Sequence, residues 1–345
     1  MSIPENFYIR DIRDTKDFQV ETFSGYKRSD VMDALLDSMM NGKLENALNW
    51  GCELVLSMRI NELFDKILEF MIKFIGIHNP NMFLIYEKRY SHLKTSKISP
   101  KDAINDQSVR NAVAEIISIA CLSIKSKFEG LPKVLLSDLK DKQIIKKLKS
   151  NDKTILAKYS QKDDPVIVKI VVNELFHRLR SKNTQETLYF FNWLLTYEKK
   201  AKEHFECVPR KITGITKKNQ TDFLWFIWQI LKGEMPNEKM VSSLFIVAVR
   251  GYKRTKNILI LFFLLKYLSG DNYNMPYDPL IKRDVVIQAV SKINFLYFNK
   301  QEFALEKKKG TVNFSEKKKK KVKEDEKTEK ENMWEALDNI FLNKY

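Results

Sequence analysis

Glycine is scarce, with 10 in 345 residues against a usual share of ~7%. That leaves little material for phosphate-cradling loops, and neither G-x-x-x-x-G-K-[ST] nor G-x-G-x-x-G occurs, which argues against ordinary nucleotide-loop and dinucleotide-binding readings. Cysteine is equally rare. Cys52, Cys121 and Cys207 form no C-x-x-C pair and, being odd in number, no disulfide framework, so a reducing compartment and buried structural thiols are expected. Long apolar runs are missing too. The greasiest stretch is eight residues, Ile258 to Leu265, closed off by Arg250, Lys253, Arg254, Lys256 and Lys266. A membrane span needs ~20 apolar residues, so this reads as a buried core helix and no membrane partner is expected. The first 13 residues lack the continuous apolar centre of a secretion signal.

Acidic charge is in deficit: 44 Asp and Glu face 60 Lys and Arg, a formal net charge of +16. An anionic partner fits that excess. The chain is nevertheless 44% apolar and 12% aromatic, too greasy for disorder, and its length suits about two domains or one elongated helical array.

Apolar residues recur at spacings of three and four, the helical period, and an all-α fold of helical hairpins in two packed halves is expected. Predicted helices cover Val31 to Met40 (capped by Ser29 or Asp30), Leu44 to about Ser57, Ile60 to Ile75, and Val109 to Ile124. After Gly76 and Pro80 the chain reads as loop-like, with Lys94 to Pro100 a polar, Ser- and Lys-rich connector. Residues 1–25 form an N-terminal arm, 26–128 a first helical domain, and 129–163, with only one apolar cluster, a linker region. The second domain, 164–305, continues with helices over Pro165 to Arg180, Gln185 to His204, Gln220 to Lys232, Met240 to Val249, Asn257 to Leu268 and Ile281 to Phe298. The β-branched run Val166 to Val172 fits a strand, but Asn173 to Arg180 continues it in the helical period, which favours helix. Asn49-Trp50 and Asn192-Trp193 form an internal echo, open to duplication of a helical hairpin or to two independent tryptophan anchors.

Residues 306 to 332 are dominated by lysine and glutamate and read as a disordered charged tail. Within it, Lys317, Lys318, Lys319, Lys320 and Lys321 have the form of a nuclear-localisation signal, a non-specific nucleic-acid contact or a solubilising run. Beyond it, Met333 to Leu342 reverts to helical amphipathicity with Trp334, Leu337, Ile340 and Phe341 on one side. That stripe suits docking onto a protein partner or folding back onto the body.

Catalytic constellations are thin. Glu174 and His177 share a helical face in the E-x-x-H spacing of di-iron bundles, but no second copy exists to complete such a site. His204 and Cys207 lack a further pair for a tetrahedral metal. Glu45, Glu53, Glu62, Asp65 and Glu69 recur along the N-terminal helices, where helical spacing makes a solvated face the simplest reading. No metal, cofactor or enzymatic activity is expected.

Basic clusters carry more, because phosphate contact needs only accessible charge. They are Lys88-Arg89, Lys146-Lys147-Lys149, Lys199-Lys200-Lys202, Arg210-Lys211 with Lys217 and Lys218, and Arg250, Lys253, Arg254 and Lys256. The last flanks Gly251 and Tyr252 between two apolar helices, a basic elbow whose aromatic can stack on a base.

Ala34-Leu35, Ser38, Ala47-Leu48-Asn49-Trp50, Glu53-Leu54 and Phe74-Ile75-Gly76-Ile77-His78-Asn79-Pro80, with Ala120 to Ser126 downstream, together resemble the C-terminal helical region of the RarA/MgsA (Werner-helicase-interacting) family of clamp-loader-related AAA+ ATPases. The resemblance spans residues ~26–128 and implies a helical collar that assembles subunits; it carries over no catalytic residue. The family's paired arginine and its acidic pair before I-G are missing, Lys73-Phe74 standing there instead, and no ATPase module is expected ahead of Ser24. The Lys-, Asn- and Ile-rich style with a charged tail also resembles proteins of large nucleocytoplasmic DNA viruses. The resulting expectation is a non-enzymatic accessory or adaptor of DNA replication, repair or recombination, with DNA, a protein partner and a second copy as candidate partners. It would act inside the cell, at the nucleus or a viral replication site or otherwise in the cytoplasm. The alternative is a structural or virion-associated interaction scaffold.

Overall fold

The computed structural model describes residues 3–201, 205–270 and 282–311. An all-α fold is what it shows: the described residues contain no strand, only an isolated bridge between Glu21 and Lys27. The helices are α1 (Arg28–Met40), α2 (Leu44–Leu56), α3 (Ile60–Phe70), α4 (Met82–Thr95), α5 (Gln107–Leu122), α6 (Asp141–Lys147) and α7 (Thr154–Tyr159). After them come α8 (Val166–Arg180), α9 (Thr184–Ala201), α10 (Phe223–Glu234), α11 (Lys239–Val249), α12 (Arg254–Ser269) and α13 (Arg283–Thr311). Among the described residues, no helix is long and apolar enough to cross a membrane.

Two compact units emerge, and neither follows the sequential division expected at 129–163. The first joins Met1–Leu63, Ser99–Leu122 and the chain from Lys282 onward; the second joins Phe64–Ile98 to Ser123–Ile281. The division falls inside α3.

In the first unit, α1, α2, α5 and α13 pack together. Gly51 lets α2 lie directly against α5, since a Cβ there would collide with Ile117. The expected N-terminal arm is a packed part of this unit: Ile9, Phe18 and Phe23 are buried, and Ile9 N–H donates to Asn105 Oδ1 at 2.9 Å. Arg110 on α5, fully buried, holds the arrangement with neutral oxygens. Its guanidinium donates to Ile104 O at 2.9 Å, Phe7 O at 3.2 Å and Asn294 Oδ1 on α13 at 2.9 Å. The α1–α2 hairpin turns through Gly42 at φ +69°, where glycine avoids the Cβ penalty of the left-handed region.

The recurrent acids are not a solvated face. Glu53 is completely buried and pairs at 3.2 Å with Lys300 of α13, itself 2% exposed. Ser24 N–H and Oγ both donate to the same carboxylate at 2.7 Å. Glu62 pairs with Arg28 at 3.6 Å, and Glu69 with Lys66 and Lys73 at 3.0 and 2.6 Å. Helical spacing reveals Lys66 and Lys73 beside Glu69, but not Arg28 and Lys300, which other segments supply.

The second unit encloses Trp193, Trp225 and Trp228, all fully buried. The β-branched run is helical because Val168, Val171, Val172 and Leu175 bury one side of α8. Residues 129–163 hold α6 and α7, anchored by buried Ile144, Ile155 and Tyr159. α4 occupies part of the stretch read as loop, burying Phe83, Tyr86, Tyr90 and Leu93. α1 begins at Arg28 with no side-chain cap, so Ser29 and Asp30 lie inside it.

α3 ends at Phe70 and continues as a π-helical turn, Met71–Ile75. Gly76 closes that turn where a Cβ would strike the buried Phe263 ring and come within 3.2 Å of Phe83. Gly76→Ala therefore overpacks an aromatic pair whose centroids are 4.4 Å apart. Urea denaturation should show a loss of about 1–3 kcal/mol; an unchanged midpoint would mean the rings yield freely.

Candidate nucleic-acid interface

α11 leaves Val249 and α12 starts at Arg254, so Arg250 to Lys253 form a four-residue elbow. Gly251 turns it at φ +61°. Glycine is required twice over, since a Cβ there would also sit 2.7 Å from the Tyr90 hydroxyl. That hydroxyl donates to Arg250 O at 2.9 Å, so the elbow is seated on α4.

The five elbow residues expected to contact nucleic acid divide sharply. Lys256 has been drawn inside: its ammonium donates to Gly251 O at 2.7 Å, Tyr90 Oη at 3.1 Å and Arg250 O at 3.2 Å, and its side chain is only 6% exposed. Burial lowers its pKa to about 8, with Lys94 and Lys253 also lowering it against the opposing pull of Asp65. It clamps the elbow's carbonyls and offers no direct phosphate contact. Arg254 is committed as well. Its Nε donates to Asp222 Oδ2 at 2.6 Å and its Nη2 to both Glu198 oxygens at 2.8 and 2.6 Å. Burial works to lower the Arg254 pKa, but these two carboxylates overcome it and the net shift is upward. Arg254 thus ties the start of α12 to α9 and to the capping residue of α10, whose Leu224 N–H also donates to Asp222. Sequence reasoning missed this tie, because Glu198 and Asp222 lie 56 and 32 residues away.

Lys253 remains outward, 64% exposed, with its ammonium 2.7 Å from Asp65 Oδ2. Arg250 is half-buried. Tyr252 lies with its ring centroid 5.5 Å from that of Trp225, and burial followed by the Asp222 charge pushes its hydroxyl up to about 12. Trp225 in turn donates Nε1–H to Asn219 O at 2.8 Å, inside the 3-10 turn Lys217–Thr221. One buried tryptophan thereby joins the elbow to the segment carrying Lys217 and Lys218, both exposed.

The remaining basic clusters are more dispersed. Arg210 is buried against Asp164, while its neighbour Lys211 is exposed. Lys147 pairs with Asp138 at 3.1 Å and donates to Tyr189 Oη at 2.8 Å. Lys199 and Lys200 are exposed at the end of α9. Lys202, His204, the tail lysines Lys317 to Lys321, and Trp334, Leu337, Ile340 and Phe341 lie outside the described residues.

Glu174 is occupied by Arg178 Nε at 2.5 Å and by the N–H groups of Lys149 and Ser150 at 2.8 Å. No group of three or more His, Cys, Asp or Glu able to hold a metal ion occurs among the described residues. The three cysteines are buried, and burial pushes the Cys52 and Cys207 thiols up to about 12, which keeps both protonated at neutral pH.

No protein-family model matches the chain, and no curated protein or solved structure matches it either.

Proposed function

We propose that the chain is a non-enzymatic accessory or adaptor of DNA replication, repair or recombination that contacts nucleic acid through basic surfaces. The observation that carries this reading is the Trp225 junction. It groups Lys217 and Lys218 with Tyr252 and Lys253, combining exposed cations with an aromatic ring as strand binding requires. The formal charge of +16 and the collar-like pattern of residues ~26–128 support it further.

Anisotropy titration of fluorescent single-stranded, duplex and forked DNA over a series of salt concentrations tests the proposal. The full chain is compared with a form ending at residue 311, since a cut at 305 would remove the last residues of α13. Sub-micromolar binding by the shortened form with a steep salt slope is the expected result. Lys217→Gln with Lys218→Gln should then flatten the slope by up to about 1.8 on duplex, ~0.9 for each phosphate no longer neutralised. Binding confined to the full chain, or none at physiological salt, would defeat the reading.

A scaffold role is the second reading, favoured by Ile287, Phe295, Phe298 and Leu305, which leave apolar surface exposed along α13. If deleting residues 333–345 abolishes co-purification with a protein partner while DNA affinity is unchanged, the scaffold reading prevails.

A further inference from the structure

We propose that the outward side of α13 is the seat of a second copy of this chain, the two α13 helices meeting antiparallel around a two-fold axis that passes between Phe295 and Phe298. The inference stands apart from the nucleic-acid reading and gives the apolar surface of α13 one occupant.

Six exposed residues of α13, Ile287, Ser291, Phe295, Phe298, Glu302 and Leu305, fall within about 80° of one another around a helix of 3.6 residues per turn. They form a single stripe, about 27 Å long at 1.5 Å per residue. Its apolar members are far from covered: Ile287 is 59% exposed, Phe295 46%, Phe298 36% and Leu305 45%. Phe7 holds the centre ready. Its ring meets those of Phe295 and Phe298 edge-on, with centroids 4.8 and 6.2 Å away, so both aromatics are already ordered when a partner arrives.

The order of residue types along the stripe selects that partner. Read from either end, it runs apolar, polar, aromatic, aromatic, polar, apolar. An isologous pair needs such self-complementarity: Phe295 of one copy faces Phe298 of the other, Ser291 faces Glu302 and Ile287 faces Leu305, each pair equidistant from the axis to within one residue. The Glu302 carboxylate thereby meets the Ser291 hydroxyl, which donates to Gln288 O at 2.8 Å and can turn to donate across the axis. Charge follows the same symmetry. By position in the helix, Asp284 and Lys309 are a further equidistant pair, of opposite sign, and antiparallel packing sets the positive start of each helix beside the negative end of the other. The chain's own residues 333–342 suit the stripe less well, since they would bring Glu335 and Asp338 to a face that already holds Glu302.

A stripe this narrow fits a transient pair, so sedimentation velocity of the full chain over about 1–100 μM should show a 40.7 kDa species giving way to one of twice that mass. Ile287→Lys with Leu305→Lys sets ammonium groups against each other at both ends and should keep the chain monomeric throughout, with unchanged helical circular dichroism. Cysteines read the register. Oxidising an equal mixture of the Ser291→Cys and Glu302→Cys variants should lock a dimer, whereas either variant alone should not cross-link, its two thiols lying about 16 Å apart along the helices. The three natural cysteines are buried and do not compete. A chain that stays monomeric over the whole range overturns the proposal, as does a dimer that locks from one variant alone or survives the lysine pair. If dimers form only once residues 333–345 are removed, that segment is the occupant and the proposal falls. Should the lysine variant not fold, the mixed cysteines decide alone. DNA binding by the monomer would leave the nucleic-acid reading standing in each of these cases.

Discussion

Replacing Glu53 with glutamine is expected to destabilise the first unit by about 3–5 kcal/mol, the usual cost of leaving one member of a buried ion pair without its partner. Lys300 would keep its charge at 2% exposure, beside the Tyr26 and Trp50 rings, 5.6 and 5.2 Å from its ammonium. Those faces attract a cation but do not equal a carboxylate. Glu53→Leu combined with Lys300→Met should recover much of the loss, since an apolar pair of similar volume avoids the desolvation cost. Urea denaturation of the wild type, both single variants and the double measures the coupling. Simple additivity would show that the pair does not act as a unit.

The same carboxylate makes the first unit acid-sensitive. Burial works to raise the Glu53 pKa, but the Lys300 charge and the donors of Ser24 and Thr22 outweigh it, and the net shift is downward. A carboxyl lowered in the folded state contributes stability above its unfolded value of ~4.3 and loses it as pH falls through the folded value. Wild-type stability should therefore drop below about pH 4, and the Glu53→Gln variant should drop less.

Asp164→Asn should have a comparable effect in the second unit, about 3–5 kcal/mol. Asp164 and Arg210 are 0% and 4% exposed and meet through two parallel contacts, Nη1 to Oδ1 at 2.5 Å and Nη2 to Oδ2 at 2.7 Å. Asparagine keeps the shape but places an amide N–H₂ against a guanidinium that has no lone pair to offer it. Asp164 also accepts N–H groups from Gln161 and Val208, at 2.7 and 3.0 Å, so the loss should also loosen the crossing of these two loops. Hydrogen exchange at Gln161 and Val208 distinguishes this from a general loss of stability: both amides should lose protection at denaturant levels where α10 amides keep theirs. Equal loss everywhere would argue that Asp164 serves the charge balance alone.

The helices themselves were legible because their buried stripes are aliphatic and closely spaced, as in α2, α5 and α8. α4 was not, since its stripe is Phe83, Tyr86, Tyr90 and Leu93. Two tyrosines between charged neighbours read as polar surface until Tyr86 Oη is seen to donate to Phe64 O at 3.1 Å. α13 runs on to Thr311 through Lys- and Glu-rich sequence, whose composition suits a solvated tail and a helix equally well. The Asn-Trp echo loses its register in the structure: Trp50 follows the left-handed turn residue Gly42 by eight positions, and Trp193 follows Lys182 by eleven.

At the candidate interface, Lys217, Lys218 and Lys253 could be read directly as exposed cations. The withdrawal of Lys256 and the commitment of Arg254 could not, because both depend on acceptors distant in sequence. Asp65 was missed for the same reason: a lone carboxylate among recurrent acids carries no local sign that it meets Lys253 at the elbow. The unit boundaries escaped notice because each unit is assembled from separated stretches, with no composition change where the chain passes between them at α3.

That interleaving sets an order of events on the ribosome. α13, which supplies Lys300 and Asn294 to the first unit, is synthesised roughly 160 residues after α5 is complete. At ~5–20 residues per second the wait is about 8–30 seconds. During it the sides of α2 and α5 that α13 covers stand bare, Glu53 lacks the Lys300 ammonium and Arg110 lacks one of its acceptors, while the whole of the second unit emerges and can fold first. A chain interrupted before Lys282 would carry a complete second unit joined to an adhesive, unfinished first one, the kind of product that chaperones and proteases recognise.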